Sequence, residues 1–439
     1  MTNILTRLST LAAAAIVIIS GIGSDFKAKA DVVTPYSMYG YGVMGDKATS
    51  FQRQMGSVGY AMRSGRQINV MNPASYAAID SLTFLFDIGA DLSFLWSNET
   101  NSAGKTQRDH QIGGGLDYVT MQFPIGKYMG GSIGMLPLSN VGYAFGNEIA
   151  HGAVENSGYG GINMAYLGFA GQYKGASLGF NISYNFGSIV NDFYATPENS
   201  GQSLTEKVME IRDWGLVIGA QYTAQLNREN SLTFGVTYSP KKSLHGRTWV
   251  TTQELRSETV PDTVGSLRLK GNYDMPNTVG AGVSFKHARS GRWIAEFDVT
   301  WEQWSKAKYA PIPYSADKIG ISASDGIAFQ GMKFADRIRY AAGGEWVPKI
   351  RGNYAERMAY RIGAYYTEDY LLIDGNRVKE FGVTCGVGLH TPQDKTMINI
   401  GFEWKKRRAY PHQLIGENYF NITLGVNFNE LWFWQRKIK

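Results

Sequence analysis

The chain has 439 residues, a formal charge of +6 and a single cysteine, Cys385. That charge is too mild to argue for nucleic acid as a partner, and one thiol excludes an intramolecular disulfide. With 52 glycines, 26 tyrosines, 21 phenylalanines and 10 tryptophans, the composition favours strands and interfacial aromatics over helices, and a slightly negative mean hydropathy does not exclude a membrane, because half of each barrel strand faces a polar lumen.

Residues 1–30 read as a signal peptide. Arg7 gives a positive flank, Leu11 to Ile19 a short apolar core, and Ala28-Lys29-Ala30 a small-x-small cleavage pattern, so the mature chain is expected to begin at Asp31. The apolar core falls short of the ~20 residues a spanning helix needs. Residues 31–80 lack a strand pattern and are too long for a simple leader, and the expectation is a plug inside a lumen. Within them Gly40-x-Gly42-x-x-Gly45 spells a dinucleotide fingerprint, but no apolar strand precedes it and no βαβ unit surrounds it. No cofactor is expected.

Residues 81–428 alternate. Leu82, Phe84, Phe86, Ile88, Ala90, Leu92, Phe94 and Trp96 fall on one face and Thr83, Asp87, Asp91, Ser93 and Ser97 on the other. Leu178, Phe180, Ile182, Tyr184 and Phe186 repeat the pattern, as do Trp293 to Trp301 and Phe420 to Phe428. Several runs exceed the ~9–11 residues of a tilted bilayer-crossing strand and the 5–6 of a soluble sandwich. Short turns such as Lys174-Gly175, Asn227 to Asn230, Ala288 to Gly291, Ile350 to Asn353 and Thr391 to Asp394 alternate with longer polar segments, Asn191 to Leu204, His245 to Asn272 and Ser305 to Lys333. The predicted fold is all-β: a transmembrane antiparallel β-barrel of about fourteen strands, roughly 82–97, 111–124, 127–137, 160–173, 176–190, 205–226, 231–247, 272–287, 291–304, 334–349, 355–370, 378–390, 395–406 and 416–428, with an N-terminal luminal plug. An even count puts both termini on the periplasmic side of a Gram-negative outer membrane. Residues 429–439, with Trp432, Trp434, Arg436 and Lys437, are read as a periplasmic tail.

Carried across strands, this register turns the charges inward: Glu296, Asp298 and Glu302, then Arg337, Arg339 and Glu345, then Arg357 and Arg361, and Glu403, Lys405 and Arg407. One reading is a ladder of opposite charges that fixes barrel shape. In the other, Arg337, Arg339, Arg357 and Arg361, beside Glu296 and Asp298, contact the carboxylate of a passing ligand. Cys385, between Val383 and Val387, reads as a small lipid-facing residue, and Trp96, Trp293, Trp301, Trp304, Trp346 and Trp404 as interfacial aromatics at strand ends. Phe180→Arg is expected to cost about 2–4 kcal/mol near the midplane, and Asn181→Arg far less. Gly130 to Gly134 and Gly175 to Gly179 match G-x-S-x-G but lie within strand patterns, and the six histidines lack metal-ligand spacing, so neither an enzyme nor a metal site is expected.

Gly56 and Gly59 followed by Met71-Asn72-Pro73-Ala74, then Met135-Leu136-Pro137, Gly235 to Pro240, Met275-Pro276, Trp301-x-x-Trp304 and Arg361 to Tyr366 resemble the long-chain fatty-acid transporter (FadL/TodX) family, although Ser75 stands where that family often has glycine. The resemblance implies a fourteen-stranded barrel with an N-terminal hatch, in which Asn72, Pro73 and Ala74 are hatch residues, and passive uptake of hydrophobic small molecules such as long-chain fatty acids or aromatic hydrocarbons from an outer groove through an opening in the wall. The expected partners are such a ligand and outer-membrane lipid. The alternative is a FadL-like barrel repurposed as a docking or shuttle component of a type IX-like protein secretion system, with a periplasmic or secretion partner; a general porin is a third.

Overall fold

The computed structural model describes residues 34–100, 106–149, 151–198, 201–255, 262–269, 273–309, 332–391 and 396–431. Twenty strands follow one another: β1 (Val43–Met44), β2 (Thr83–Thr100), β3 (Thr106–Gly126), β4 (Met129–Ile149), β5 (Gly152–Tyr173), β6 (Ala176–Pro197), β7 (Gln202–Gln225), β8 (Asn230–Ser239), β9 (Lys242–Leu244), β10 (Gly246–Leu255), β11 (Asp262–Leu269), β12 (Tyr273–Met275), β13 (Thr278–Ala288), β14 (Arg292–Glu302), β15 (Met332–Phe334), β16 (Arg337–Val347), β17 (Ala359–Ile373), β18 (Asn376–His390), β19 (Thr396–Tyr410) and β20 (Ile415–Leu431). The wall is a closed antiparallel barrel of 14 of them, β2–β8, β13, β14 and β16–β20. β20 pairs back onto β2 from Thr83↔Leu431 to Glu99↔Ile415, which leaves no seam between first and last strands.

The alternation sorts as predicted. Phe180 is 40% exposed on the outer face, while its neighbour Asn181 is 4% exposed inside. Leu178, Ile182, Val236, Ile362 and Phe402 share the outer face, and Cys385 is exposed there too. An apolar outer band around a polar interior is the surface a lipid bilayer requires.

Strand ends depart from the expectation. Asn191 to Leu204, read as a loop, continues β6 and β7, and the third strand runs past Pro137 to Ile149. His245 to Asn272 contains the hairpin β10–β11, which prolongs the sheet beyond the ring because the upper half of β7 leaves β8 and pairs with β10, Gln202↔Leu255 to Ile211↔Gly246. β9 and β12 form a separate two-stranded patch beneath this hairpin. At the other mouth, Ile350 to Asn353 is not a tight turn: Asn353 caps a helical turn, α1 (Tyr354–Arg357), and β17 starts only at Ala359. The last strand reaches Leu431, three residues beyond Phe428. Residues 1–30, read above as a signal peptide, most of the 305–333 segment and the tail from Trp432 onward lie outside the described residues.

The barrel therefore has a hairpin mouth, where β2–β3, β4–β5, β6–β7 and β10–β11 project, and a turn mouth, where β3–β4 and β5–β6 join tightly. Residues 34–80 lie inside the ring, nearly all of them buried or half-buried. They begin at the hairpin mouth, where the Thr34 amide donates to the Gly142 carbonyl (2.7 Å) and its hydroxyl to Glu417. They then descend along β4, cross to β16–β19, pass β8, β13 and β14, and return along β4–β7 to β2 at the turn mouth. Both ends of the wall, Thr83 and Leu431, lie at the turn mouth, as the even count requires; the luminal segment itself starts at the opposite one.

Candidate functional site

The contacts of the luminal segment account for the inward charges. On β14, Asp298 accepts the amides of Gly59 (2.6 Å) and Tyr60 (3.0 Å), and Glu296 accepts that of Ala61 (2.9 Å). These two carboxylates form a cradle for three consecutive N–H groups, which a segment crossing the lumen cannot satisfy by a strand ladder. Arg337 reaches Glu302 at 2.9 Å and Asp46 at 4.0 Å, and Arg339 reaches Asp46 at 3.1 Å and the Gly56 carbonyl at 3.2 Å. Arg361 is held by Glu345 (2.8 Å), Gln54 (2.8 Å) and Asn399 (2.7 Å). Of the nine partners named, six, Asp46, Gln54, Gly56, Gly59, Tyr60 and Ala61, belong to the luminal segment and only Glu302, Glu345 and Asn399 to the strands of the wall. Arg357 departs from the row: it ends α1 and lines a small cavity at the turn mouth with Glu345 and Arg292.

Asn72 caps the 3-10 turn Pro73–Ala78. Its side chain accepts the Ala74 amide (3.1 Å) and donates to the Tyr60 carbonyl (2.7 Å), so it ties two passes of the segment together; Pro73 begins the turn and Ala74 is fully buried. Asn69, which the sequence reading passed over, does the same by donating to the carbonyls of Gly59 (2.6 Å) and Met62 (2.9 Å). Backbone approaches the wall so closely that side chains must be absent: a Cβ on Gly343 or Gly363 would run into the Met55 backbone. The nucleotide-like glycines have a packing role too, since Gly42 sits at φ +82° with a Cβ position blocked by the Asn140 carbonyl. Neither G-x-S-x-G match precedes a helix; Ser132 donates to the Met121 carbonyl, and Ser177 accepts from Arg63.

Trp304 is not interfacial. It is fully buried, stacks on Tyr370 (4.6 Å between centroids) and meets Tyr41 and Phe334, filling the upper lumen with aromatic rings. Below it a cavity of about 120 Å³ is lined by Asp46, Arg53, Asp91, Asp117, Glu380 and Arg407, among others, and a second of about 80 Å³ by Asp46, Lys47, Asp298 and Glu302. Both are smaller than the ~300–1,000 Å³ of small-molecule sites, and both carry charged side chains on their walls.

The wall is incomplete on one side. β3 pairs with β4 only from Val119↔Met135 down to Gly126↔Met129, whereas β2 stays on β3 up to Thr100↔Thr106 and β5 on β4 up to Ile149↔Gly152. β4 shifts register at Pro137/Ser139, and its vacated edge is covered from inside: Gly45 donates to Leu138 (2.9 Å), β1 pairs Val43↔Asn140 and Met44↔Ser139, and Ser37 Oγ bonds Gly142. Among the described residues no strand covers the facing edge of β3 above Val119, where Gly113, Gly114 and Gly115 carry no side chains. Above this gap the hairpin mouth holds a vestibule of about 820 Å³, walled by β2, β3 and β4 and floored by the start of the luminal segment; Tyr36, Tyr39, Leu95, Phe145, Leu414 and Ile415 line it.

A closed barrel with an occupied lumen, a wall gap and a vestibule above it defines a transmembrane barrel of the FadL type. The chain belongs to the BamG family, whose model matches residues 11–439. Among solved structures it is similar to the Pseudomonas putida toluene transporter TodX (14% identity, 89% of this chain and 100% of that one, TM-score 0.59) and to a Pseudomonas aeruginosa FadL homologue (10%, 88% and 99%, 0.59). It is also similar to CymD, a monoaromatic hydrocarbon channel (12%, 87% and 97%, 0.53). At these identities the likeness is one of fold. No curated protein sequence matches the chain.

Proposed function

We propose that the barrel admits small hydrophobic molecules passively in an outer membrane, from a hairpin mouth facing outward, through the vestibule and sideways into the bilayer by the gap between β3 and β4. The observation that carries this reading is the coincidence of the gap with a vestibule of about 820 Å³ whose mixed lining sets Tyr36, Tyr39, Leu95, Phe145, Leu414 and Ile415 among polar side chains. The fold shared with TodX and CymD, described as a toluene transporter and a hydrocarbon channel, supports it. A straight route down the axis meets the aromatic cluster at Trp304 and two cavities of only about 120 and 80 Å³, so the interior favours lateral exit over through-passage. The test is uptake of labelled toluene by proteoliposomes: saturable uptake above empty vesicles is expected, reduced severalfold by Ala144→Trp, which narrows the vestibule. Rates equal to those of empty vesicles end the reading.

A second reading, docking of a partner protein such as a secretion component, is favoured by the same open edge of β3. In hydrocarbon an unpaired backbone group costs several kcal/mol, and an extended segment of another polypeptide can pair there. Stoichiometric co-purification of a partner whose removal raises amide exchange over 106–118, without hydrocarbon uptake, would select it.

A further inference from the structure

The uptake reading leaves open which hydrophobic molecules are taken, and resting on that reading, we infer that the vestibule accepts neutral and cationic hydrophobic molecules and rejects carboxylates such as fatty acids. A carboxylate bound in a partly desolvated site needs a cation with free donors. The luminal guanidinium groups are committed elsewhere: Arg337 to Glu302, Arg339 to Asp46, Arg361 to Glu345, Arg407 to Glu380 at 2.6 Å and Arg53 to Asp117 at 2.8 Å. Releasing any of them to a ligand would strand a buried carboxylate of the wall or of the luminal segment.

The vestibule has the opposite balance. Among the described residues, the charged side chains lining it are Glu99, Asp109 and Asp374 against Arg108, a net of −2, set beside aromatic and aliphatic side chains. The acids come from two hairpins, Glu99 and Asp109 from the two arms of β2–β3 and Asp374 from the β17–β18 turn, so they are not confined to one strand. A mouth lined by one sign of charge concentrates molecules of the other sign and depletes those of its own, and the effect is screened as salt rises. Aromatic rings such as Tyr36, Tyr39 and Phe145 add faces that favour cations and uncharged aromatics.

The experiment compares three probes of one chain length, decyltrimethylammonium, 1-decanol and decanoate, titrated at pH 7.5 into the full chain in nanodiscs, with empty nanodiscs as the baseline for partition into lipid. Saturable binding of the ammonium and the alcohol is expected, with decanoate weaker by at least roughly tenfold. The triple variant Glu99→Gln, Asp109→Asn, Asp374→Asn, at exposed hairpin positions, is expected to bring decanoate level with the alcohol, as is raising salt to about 1 M. Decanoate binding as tightly as decanol or tighter overturns the inference while leaving uptake of hydrophobic molecules intact. Binding of none of the three probes removes the uptake reading and this inference with it.

Discussion

At the residue scale, each luminal position has two neighbours to satisfy, the adjacent strand and the segment inside. Phe180→Arg places a cation in lipid and is expected to cost about 2–4 kcal/mol near the midplane, read by denaturant titration of refolding into vesicles. Asn181→Arg was expected to be far milder, but the structure changes that: Asn181 donates to the Tyr76 hydroxyl (3.1 Å) and lies against the Gly168 backbone, so the longer side chain must displace the luminal segment. Its signature is faster proteolysis of residues 60–80 with the barrel still heat-modifiable on a gel. Gly363→Val, whose Cβ would strike Met55 and Gly56, is expected to behave in the same way; Gly126→Ala, with nothing within 4 Å of its Cβ, is its neutral control. Both glycines look alike in sequence. What distinguishes them is a chain segment three hundred residues away.

At the element scale, what alternation reveals is the part of each strand that has lipid on one side. The wall, its strand count and the inward turn of Glu296, Asp298, Arg337 and Arg361 were therefore legible. Above the bilayer both faces of a hairpin meet water, the period-two signal disappears, and β6 and β7 around Pro197 and Gln202 read as loop. The gap between β3 and β4 leaves no mark on periodicity, because it concerns which strand is the partner; Gly113 to Gly115 and Pro137 were its only traces. Asp298→Ala is expected to orphan the amides of Gly59 and Tyr60, about 1–3 kcal/mol for each, and to raise amide exchange over 56–62. In the β9–β12 patch outside the wall, burial pushes Asp274 up, but donation from Ser243, Lys241 and the Lys308 amide outweighs it and holds its carboxyl below the usual range. A depressed folded pKa stabilises above the unfolded value and is lost as pH falls through the folded one. The patch is thus expected to hold at neutral pH and to loosen only below about pH 3.9, seen as exchange at 242–244 and 273–275.

At the scale of the whole molecule, wall and luminal segment form one electrostatic unit, and the vestibule with the gap beneath it is the part left open. Removing residues 34–79 would strip Asp298 and Glu296 of the amides they accept, Arg339 of Asp46 and Arg361 of Gln54, so the truncated barrel is expected to conduct ions and to unfold at lower denaturant than the full chain, measured in planar bilayers and by titration. The full chain is expected to conduct little, because its lumen is filled.

The order in which the chain must come together follows from where the luminal segment touches the wall. It is made first, yet Thr34 is fastened by Glu417 on the last strand, Gln54 by Arg361 on β17, and Tyr60 by Asp298 on β14. Such separations make closure slow. The earliest part of the chain has to wait, unpaired, for the latest, and the meeting of β20 with β2 then seals around it rather than admitting it afterwards. The segment serves as the mould on which the cylinder is rolled, and only once the final strand docks does the casting become permanent.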